Sequence, residues 1–379
     1  MADLIALDLP LGPEIVDEIR RAHDRGYAIC VLDQRLSDAR QRDVLSSLAP
    51  THICEQAGEY RRIDAGREVD FGDGLVVVTS GSSGPPKAAV LTWSAVIASA
   101  EMTSTELFRG VVTRWNACLP PTHVGGFAVL ARSIFSDDQI LFGNSDDLGG
   151  AALLGATHVA VVRTQVARND LSQYRVVLLG GSRAPDNLGA NVVTTWGMTE
   201  TGSGVVYNGR ALRGVDVIAV NGELWVHSPT LFRSYRTGET PFVSGPDGRT
   251  GWFATGDAGE VRDGVVTVFG RMSYVITTGG EKLWPEDLEE ILRVVPGVND
   301  VGVVGVNDPE WGQRVVVYVV SSRGEVELTR DFHDVASERI GPWAKAKQVR
   351  KISHVPRTIN GKIDRAALTQ LSQPIPPLG

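Results

Sequence analysis

A run of hydroxyls and glycines ending in one lysine, Thr79-Ser80-Gly81-Ser82-Ser83-Gly84-Pro85-Pro86-Lys87, has the composition needed to hold a polyphosphate. Glycine permits backbone angles that turn successive amide N–H groups inward, the hydroxyls add donors, and the lysine adds a mobile charge. The apolar run Leu75-Val76-Val77-Val78 before it reads as a buried strand. Val90 to Phe108 after it reads as a helix with Thr92 as its N-cap. The loop is therefore expected to join a strand to a helix. Its spacing is G-x-x-G-x-x-K followed by Ala88, where a Walker loop needs a magnesium-binding hydroxyl, so the metal ligand must come from elsewhere. A Gly/Ser-rich run is ordinarily a flexible surface turn; the flanking strand and helix argue against that here.

Further segments carry residue types suited to the same chemistry. Thr194-Thr195-Trp196-Gly197-Met198-Thr199-Glu200-Thr201 follows Val192-Val193 and is expected at a strand's end, where ligands bind in open α/β sheets. Glu200 offers a carboxylate for magnesium, Thr199 a hydroxyl for phosphate, and Trp196 a flat face for a purine. In Leu119-Pro120-Pro121-Thr122-His123-Val124-Gly125-Gly126, His123 precedes two glycines that would let a ligand approach the backbone. Gly180-Gly181-Ser182, after the strand Val176 to Leu179, frames a ligand with bare backbone in the same way. Thr255-Gly256-Asp257 with Gly270-Arg271, and Pro356 to Arg365 with Lys362, complete the set. Singly, each has an ordinary explanation: a lone histidine is usually structural, Asp257 suits a turn, and Lys362 suits a solvated charge beside a turn glycine.

These residues must be positioned by an α/β scaffold. Residues 1 to 70 alternate helical patterns (Pro13 to Asp24, Leu36 to Leu48) with short apolar runs (Ala28 to Leu32, His52 to Cys54). The alternation continues to about 200, with Val159 to Val162 and Val176 to Leu179 suited to a buried parallel sheet. From about 214 to 270 the pattern changes to short strands with close turns, including a hairpin signal at Asp263-Gly264. Beyond Gly270-Arg271, Trp284-Pro285-Glu286-Asp287-Leu288 reads as a helix start before the strand patterns Val301 to Val306 and Val315 to Val320. The principal boundary is expected near 270, dividing a large domain, 1–270, from a small one, 271–379. The proline-rich tail from Gln373 reads as disordered.

The bulk properties narrow the function classes. With 42% hydrophobic and 22% charged residues in 379, the chain is an ordinary globular protein long enough for two or three domains. Its net charge of -8 argues against a nucleic-acid partner, so an anionic substrate must be met by local positive groups. The three cysteines, Cys30, Cys54 and Cys118, lack disulfide or zinc spacing and fit a reducing compartment. No apolar run approaches the roughly 18 residues needed to span a bilayer, and the N-terminus lacks a signal-peptide pattern. The expected setting is therefore soluble and cytoplasmic, without membrane insertion.

Together, and in their order along the chain, these segments resemble the adenylate-forming superfamily of acyl-CoA synthetases, non-ribosomal adenylation domains and luciferases, over roughly residues 25 to 368. The resemblance implies a large N-terminal domain, of parallel α/β sheets plus a β-rich subdomain, and a small mobile α+β C-terminal domain. These enclose ATP and a carboxylic acid, form an acyl-adenylate with loss of pyrophosphate, and then rotate to admit a thiol. It implies that Thr79, Ser80, Gly81, Ser82, Ser83, Gly84 and Lys87 grip the β- and γ-phosphates, while Gly180, Gly181, Ser182 and Trp196 hold adenine. Thr199 would touch the α-phosphate and Glu200 the magnesium. Asp257 and Arg271 would hold the ribose, His123 and Gly125 would line the acyl site, and Lys362 would bridge the carboxylate and the α-phosphate.

The chain departs from the pattern in being short at its N-terminal end and in carrying Ser273 where the hinge residue is usually acidic or lysine. Short, free-standing members with a Leu-Pro-Pro-Thr-His-Val-Gly-Gly acyl-site segment look most like actinobacterial o-succinylbenzoate:CoA ligases of menaquinone synthesis. Their dicarboxylate substrate would need a counter-charge for the carboxylate that is not activated, and Arg132 is the candidate, a plain surface arginine being the competing reading. Gly279-Gly280-Glu281 resembles the glycine-lined path for pantetheine, and no carrier domain follows Leu368, so free coenzyme A is the expected thiol. The shortened end leads us to expect a surface covered by a partner subunit, and so a homo-oligomer. The alternatives are another small acyl- or aryl-CoA ligase, a stand-alone enzyme loading a carrier protein, or a silent nucleotide-binding relative. A dinucleotide-binding oxidoreductase fails because Gly202-Ser203-Gly204 does not complete G-x-G-x-x-G.

Overall fold

The computed structural model describes residues 1–79, 87–181, 183–185, 187–358 and 362–372. Two sheets of seven strands each form among these residues, and their central strands, such as Leu4–Leu7, Val176–Gly180 and His158–Val162, are short apolar runs that are largely buried. In the first, Ala28–Val31, Leu4–Leu7 and His52–Gln56 run parallel, and Asp73–Thr79 joins the parallel set beside Ala28–Val31. In the second, Gln139–Phe142, Arg114–Ala117, His158–Val162, Val176–Gly180 and Val192–Met198 are parallel, and Ser203–Tyr207 returns antiparallel to Val192–Met198.

The helices Trp93–Leu107 and Val124–Phe135 share one hydrophobic core with residues of both sheets, among them Leu75, Leu91, Trp115 and Val176. This shared layer fixes the ends of the two sheets relative to each other. The β-rich region forms a third sheet around the hairpin Trp252–Arg262 and Val265–Arg271. Its turn uses Asp263 and Gly264 with φ of 51° and 73°, the left-handed pair that a tight hairpin needs.

The expectation that the glycine-rich loop joins a strand to a helix is corrected by the fold. The loop joins the antiparallel strands Asp73–Thr79 and Lys87–Thr92, and the helix starts only at Trp93, where Thr92 Oγ1 accepts from the Ala95 N–H at 3.2 Å. Ala88 to Leu91 lie buried between Asp73–Thr79 and Ser234–Tyr235. A continuous apolar run reads alike in a fully buried strand and a buried helix, so periodicity could not separate them. The segment 194–198 likewise lies within the strand Val192–Met198 rather than beyond it, and only Thr199 and Glu200 stand at its end.

Residues beyond about 275 pack around cores of their own: Leu288, Leu292, Val303, Val317, Leu328 and Phe332 in one, Val316, Tyr318, Val355 and Leu368 in another. Full burial of each such side chain contributes roughly 1.5–3 kcal/mol. The helix Pro285–Arg293 opens with proline and carries Glu286 and Asp287 in its first turn, where the helix dipole favours them. Among the described residues no helix is long and apolar enough to cross a membrane, and all three cysteines are free and buried.

Candidate active site

Thr79 and Lys87 face each other across the strand pair at the mouth of the glycine-rich loop, and Thr79 Oγ1 donates to the Lys87 carbonyl at 2.9 Å. The Lys87 ammonium pairs with Glu239 Oε2 at 2.8 Å and lies 4.8 Å from the centroid of the Tyr235 ring. Ser80, Gly81, Ser82, Ser83 and Gly84 lie outside the described residues, as does Ser182.

Glu200 stands just after the strand Val192–Met198, in a single 3-10 turn tied down by the Met198 N–H donating to Thr201 Oγ1. Its side chain is buried, its carbonyl accepts from the Phe232 N–H at 2.8 Å, and its Oε1 accepts from the Tyr235 hydroxyl at 2.9 Å. Burial first, then the charge of Glu200, holds the Tyr235 phenol well above the usual tyrosine range, so it stays a donor. Thr199 is half-buried beside it. A bulge between Trp196 and Gly197 re-aims the indole, whose N–H donates to Asp257 Oδ2 at 2.8 Å. Gly180 ends the neighbouring strand, and a Cβ there would lie 3.0 Å from Thr195 Cγ2; Gly181 follows with φ of 86°. Thr195 Oγ1 is buried without a hydrogen-bond partner among the described residues, as is Thr122 Oγ1 beside His123.

Asp257 and Arg271 are register partners on the antiparallel pair, with Arg271 Nη1 at 3.1 Å from Asp257 Oδ1. Arg271 also donates to the Thr255 carbonyl. Lys362 comes from the C-terminal cores to this cluster: its charged neighbours are Arg271, Asp257 and Glu200. Burial, then Arg271, pulls its ammonium below the ordinary lysine range, while the two carboxylates oppose the shift. The side chain keeps exposed surface although protein surrounds it on most sides, as a group lining an open cleft does.

His123 caps the helix Val124–Phe135 with no side-chain capping bond, which leaves its ring free for other partners. Burial and Arg35 lower its pKa, Asp33 opposes them, and Lys362 lowers it further, so His123 and Lys362 are within electrostatic reach across the cleft. Gly125 faces open space, whereas a Cβ at Gly126 would come 2.1 Å from the Pro120 carbonyl oxygen; Gly126 serves chain packing rather than ligand approach.

Arg132, on the same helix, is 2% exposed, which removes the surface reading. Its guanidinium lies 4.5 Å from the Trp115 ring centroid, and Nε and Nη1 are buried without a hydrogen-bond acceptor among the described residues. Gly279 and Gly280 form the exposed turn between Ile276–Thr278 and Glu281–Leu283, with Gly279 against the Trp311 ring. Two arginines of the large region reach the helix Pro285–Arg293: Arg163 pairs with Glu290 at 3.2 Å, and Arg183 pairs with Asp287 and, at 3.5 Å, with Glu290.

Tyr235, Glu239, Arg35 and Asp33 escaped sequence reasoning, because none sits in a segment with local chemical patterning. The assembled cleft thus brings together a lysine, a paired aspartate–arginine and one buried carboxylate. No group of three or more His, Cys, Asp or Glu side chains among the described residues could hold a metal alone. A single carboxylate with an oxygen oriented by a hydroxyl suits magnesium arriving on nucleotide phosphates, since that ion keeps most of its ligands as water and phosphate oxygen.

Residues 287–362 match the AMP-binding enzyme C-terminal domain. A probable 2-succinylbenzoate–CoA ligase of Mycobacterium tuberculosis is 33% identical over 334 residues, covering 80% of this chain and 86% of that one. The 2-succinylbenzoate–CoA ligase of Escherichia coli K12 is 31% identical, covering 79% of this chain and 69% of its own length. Among solved structures, o-succinylbenzoate CoA synthetase from Bacillus subtilis, in complex with the acyl-adenylate intermediate OSB-AMP, superposes with a TM-score of 0.81 at 25% identity, covering 97% of this chain and 88% of that one.

Proposed function

The chain belongs to the 2-succinylbenzoate–CoA ligase family of adenylate-forming enzymes, and on that premise we infer that it joins 2-succinylbenzoate to coenzyme A at the expense of ATP, as a step of menaquinone synthesis. A substrate carboxylate oxygen attacks the α-phosphorus, the bond to the bridging oxygen of the β-phosphate breaks, and diphosphate leaves. The coenzyme A thiol then attacks the acyl carbon, its proton is released, and AMP leaves with the electron pair of the acyl–oxygen bond. The observation that carries this reading is the convergence of Lys362 with Arg271, Asp257 and Glu200 opposite His123. Attack of one anion on another needs a cation where negative charge accumulates, and Lys362 supplies it.

In this reading Thr79, Lys87 and the residues between them hold the β- and γ-phosphates. Gly180, Gly181, Ser182 and Trp196 frame adenine, Thr199 contacts the α-phosphate, and Asp257 with Arg271 holds the ribose. His123 and Gly125 line the acyl site, and Gly279 with Gly280 borders the pantetheine path. Magnesium held by Glu200 would neutralise the phosphate charge that builds up as diphosphate leaves. The division of the chain near 270 belongs to the same reading and is supported by the separate cores beyond Ile276.

Arg132 is the residue we assign to the second substrate carboxylate. A buried guanidinium with unpartnered N–H donors is costly, and a substrate carboxylate would supply an acceptor to one of the two nitrogens, Nε or Nη1, that lack one among the described residues. A cytoplasmic setting is supported by three unpaired buried cysteines. Self-association would cover the adjacent exposed Leu153 and Leu154, and sedimentation reads it directly.

The reaction is tested by AMP and diphosphate release with ATP, magnesium and coenzyme A, comparing 2-succinylbenzoate with benzoate, fatty acids and amino acids. Turnover with 2-succinylbenzoate that requires coenzyme A is the expected result. Turnover with a different acid alone would overturn the substrate and keep the chemistry.

A further inference from the structure

Tyr235 stands between two groups that the nucleotide reading treats separately. Its hydroxyl donates to Glu200 Oε1 at 2.9 Å, and its ring lies 4.8 Å from the Lys87 ammonium. The segment carrying it is stitched to both by backbone bonds. Tyr235 is in register with Ala89 on the strand that begins at Lys87, and the Phe232 N–H donates to the Glu200 carbonyl at 2.8 Å. The Phe232 ring meets the Tyr235 ring edge-on, with centroids 4.9 Å apart, so the phenol has little freedom to turn.

We propose that Tyr235 is a positioning residue for adenylation: its hydroxyl fixes the Glu200 carboxylate for magnesium on the incoming nucleotide, while its ring seats the ammonium of Lys87. The proposal rests on the assignment of Glu200 and Lys87 given above and adds the side chain that sets their mutual geometry. The last torsion of a glutamate is broad, so one donor on Oε1 decides where Oε2 points. Lys87 is a long, flexible chain whose pair with Glu239 is about half exposed on both sides, 46% and 52%, and such pairs are weak. A phosphate can therefore displace Glu239 while the ring keeps the ammonium aligned.

The test measures binding of ATP to the full chain by titration calorimetry, with magnesium and with metal removed by chelation, alongside melting temperature. Tyr235→Phe deletes the hydroxyl and keeps the ring. It is expected to weaken magnesium–ATP binding about tenfold, the value of one hydrogen bond to a charged group, and to leave metal-free ATP binding within about twofold. Tyr235→Leu, which also removes the ring face, is expected to weaken both. Glu200→Gln is the control. If Glu200→Gln loses the magnesium-dependent gain and Tyr235→Phe keeps it, the proposal falls and the assignment of Glu200 stands. If neither variant changes that gain, the metal assignment falls and the proposal with it. Equal losses of both affinities in Tyr235→Phe, together with a lower melting temperature, would mark a structural role and overturn it.

Discussion

The indole N–H of Trp196 donates to Oδ2 of Asp257 at 2.8 Å, while Arg271 approaches Oδ1 of the same carboxylate at 3.1 Å. Each oxygen of Asp257 is thus held by its own partner, which fixes the plane of the carboxylate. Asp257→Asn would turn an amide toward either Arg271 or Trp196, replacing an acceptor by a donor. The KM for ATP is expected to rise by roughly 10- to 100-fold, the range for a lost hydrogen bond to a charged group, with the melting temperature little changed. Initial rates across ATP concentrations check this.

Lys362→Ala should lower the ATP–pyrophosphate exchange rate by ~10²–10³ or more, because the cation acts where charge accumulates in the transition state. Folding should be unaffected, since the residue lies in the cleft and not in a core. The ammonium sits below the ordinary lysine range through burial and Arg271. A lysine needed in its charged form with a lowered pKa gives activity that is full at lower pH and is lost as pH rises through that value. The alkaline limb of kcat/KM should therefore fall below the ordinary lysine range. Bound phosphates add negative charge, so the limb of kcat should lie higher than that of kcat/KM. Coincident limbs at the ordinary lysine value would contradict the assignment.

Arg132 offers a test in which stability and function separate. Arg132→Met roughly keeps the volume and removes a buried charge whose Nε and Nη1 have no acceptor among the described residues. Replacing such a charge by an apolar group is often neutral or stabilising. The melting temperature should hold or rise, while the KM for 2-succinylbenzoate climbs by roughly tenfold or more and the KM for ATP stays put. An unaltered KM for the acid would remove Arg132 from the site.

The pairs of Arg183 with Asp287 and Glu290 tie the segment after the strand Val176–Gly180 to the helix Pro285–Arg293, and so bear on where Lys362 sits. Arg183 is 48% exposed, so solvent screens these pairs and each is worth only ~0.2–1 kcal/mol. Arg183→Ala is expected to slow pyrophosphate exchange by about two- to fivefold. Thioester formation from supplied acyl-adenylate should change less. High salt should produce the same imbalance in the unaltered protein.

Much of the scaffold was legible because its signals are local. The Thr92 cap, the Pro285 helix start and the Asp263-Gly264 turn each depend on a few adjacent residues. The strand Lys87–Thr92 was not legible, since a run buried on both faces has no period to report. Helix Val124–Phe135 is apolar on most faces, so its pattern could not say whether Arg132 points outward or into the core.

The sequence by itself determined which chemistry was available: a lysine-ended Gly/Ser loop, Glu200, the Asp257–Arg271 pair and Lys362, in an order that carries its own meaning. Tertiary structure alone decided which groups meet. Tyr235 reaches Glu200 across 35 positions of chain, and Lys87 reaches Glu239 across 152. Such contacts leave no mark in either local segment, because they are set by strand register and by the packing of separate cores. The burial that lowers the pKa of Lys362 and leaves Arg132 Nε and Nη1 without an acceptor among the described residues is likewise a property of the whole fold, since an environment is made by residues distant in the chain.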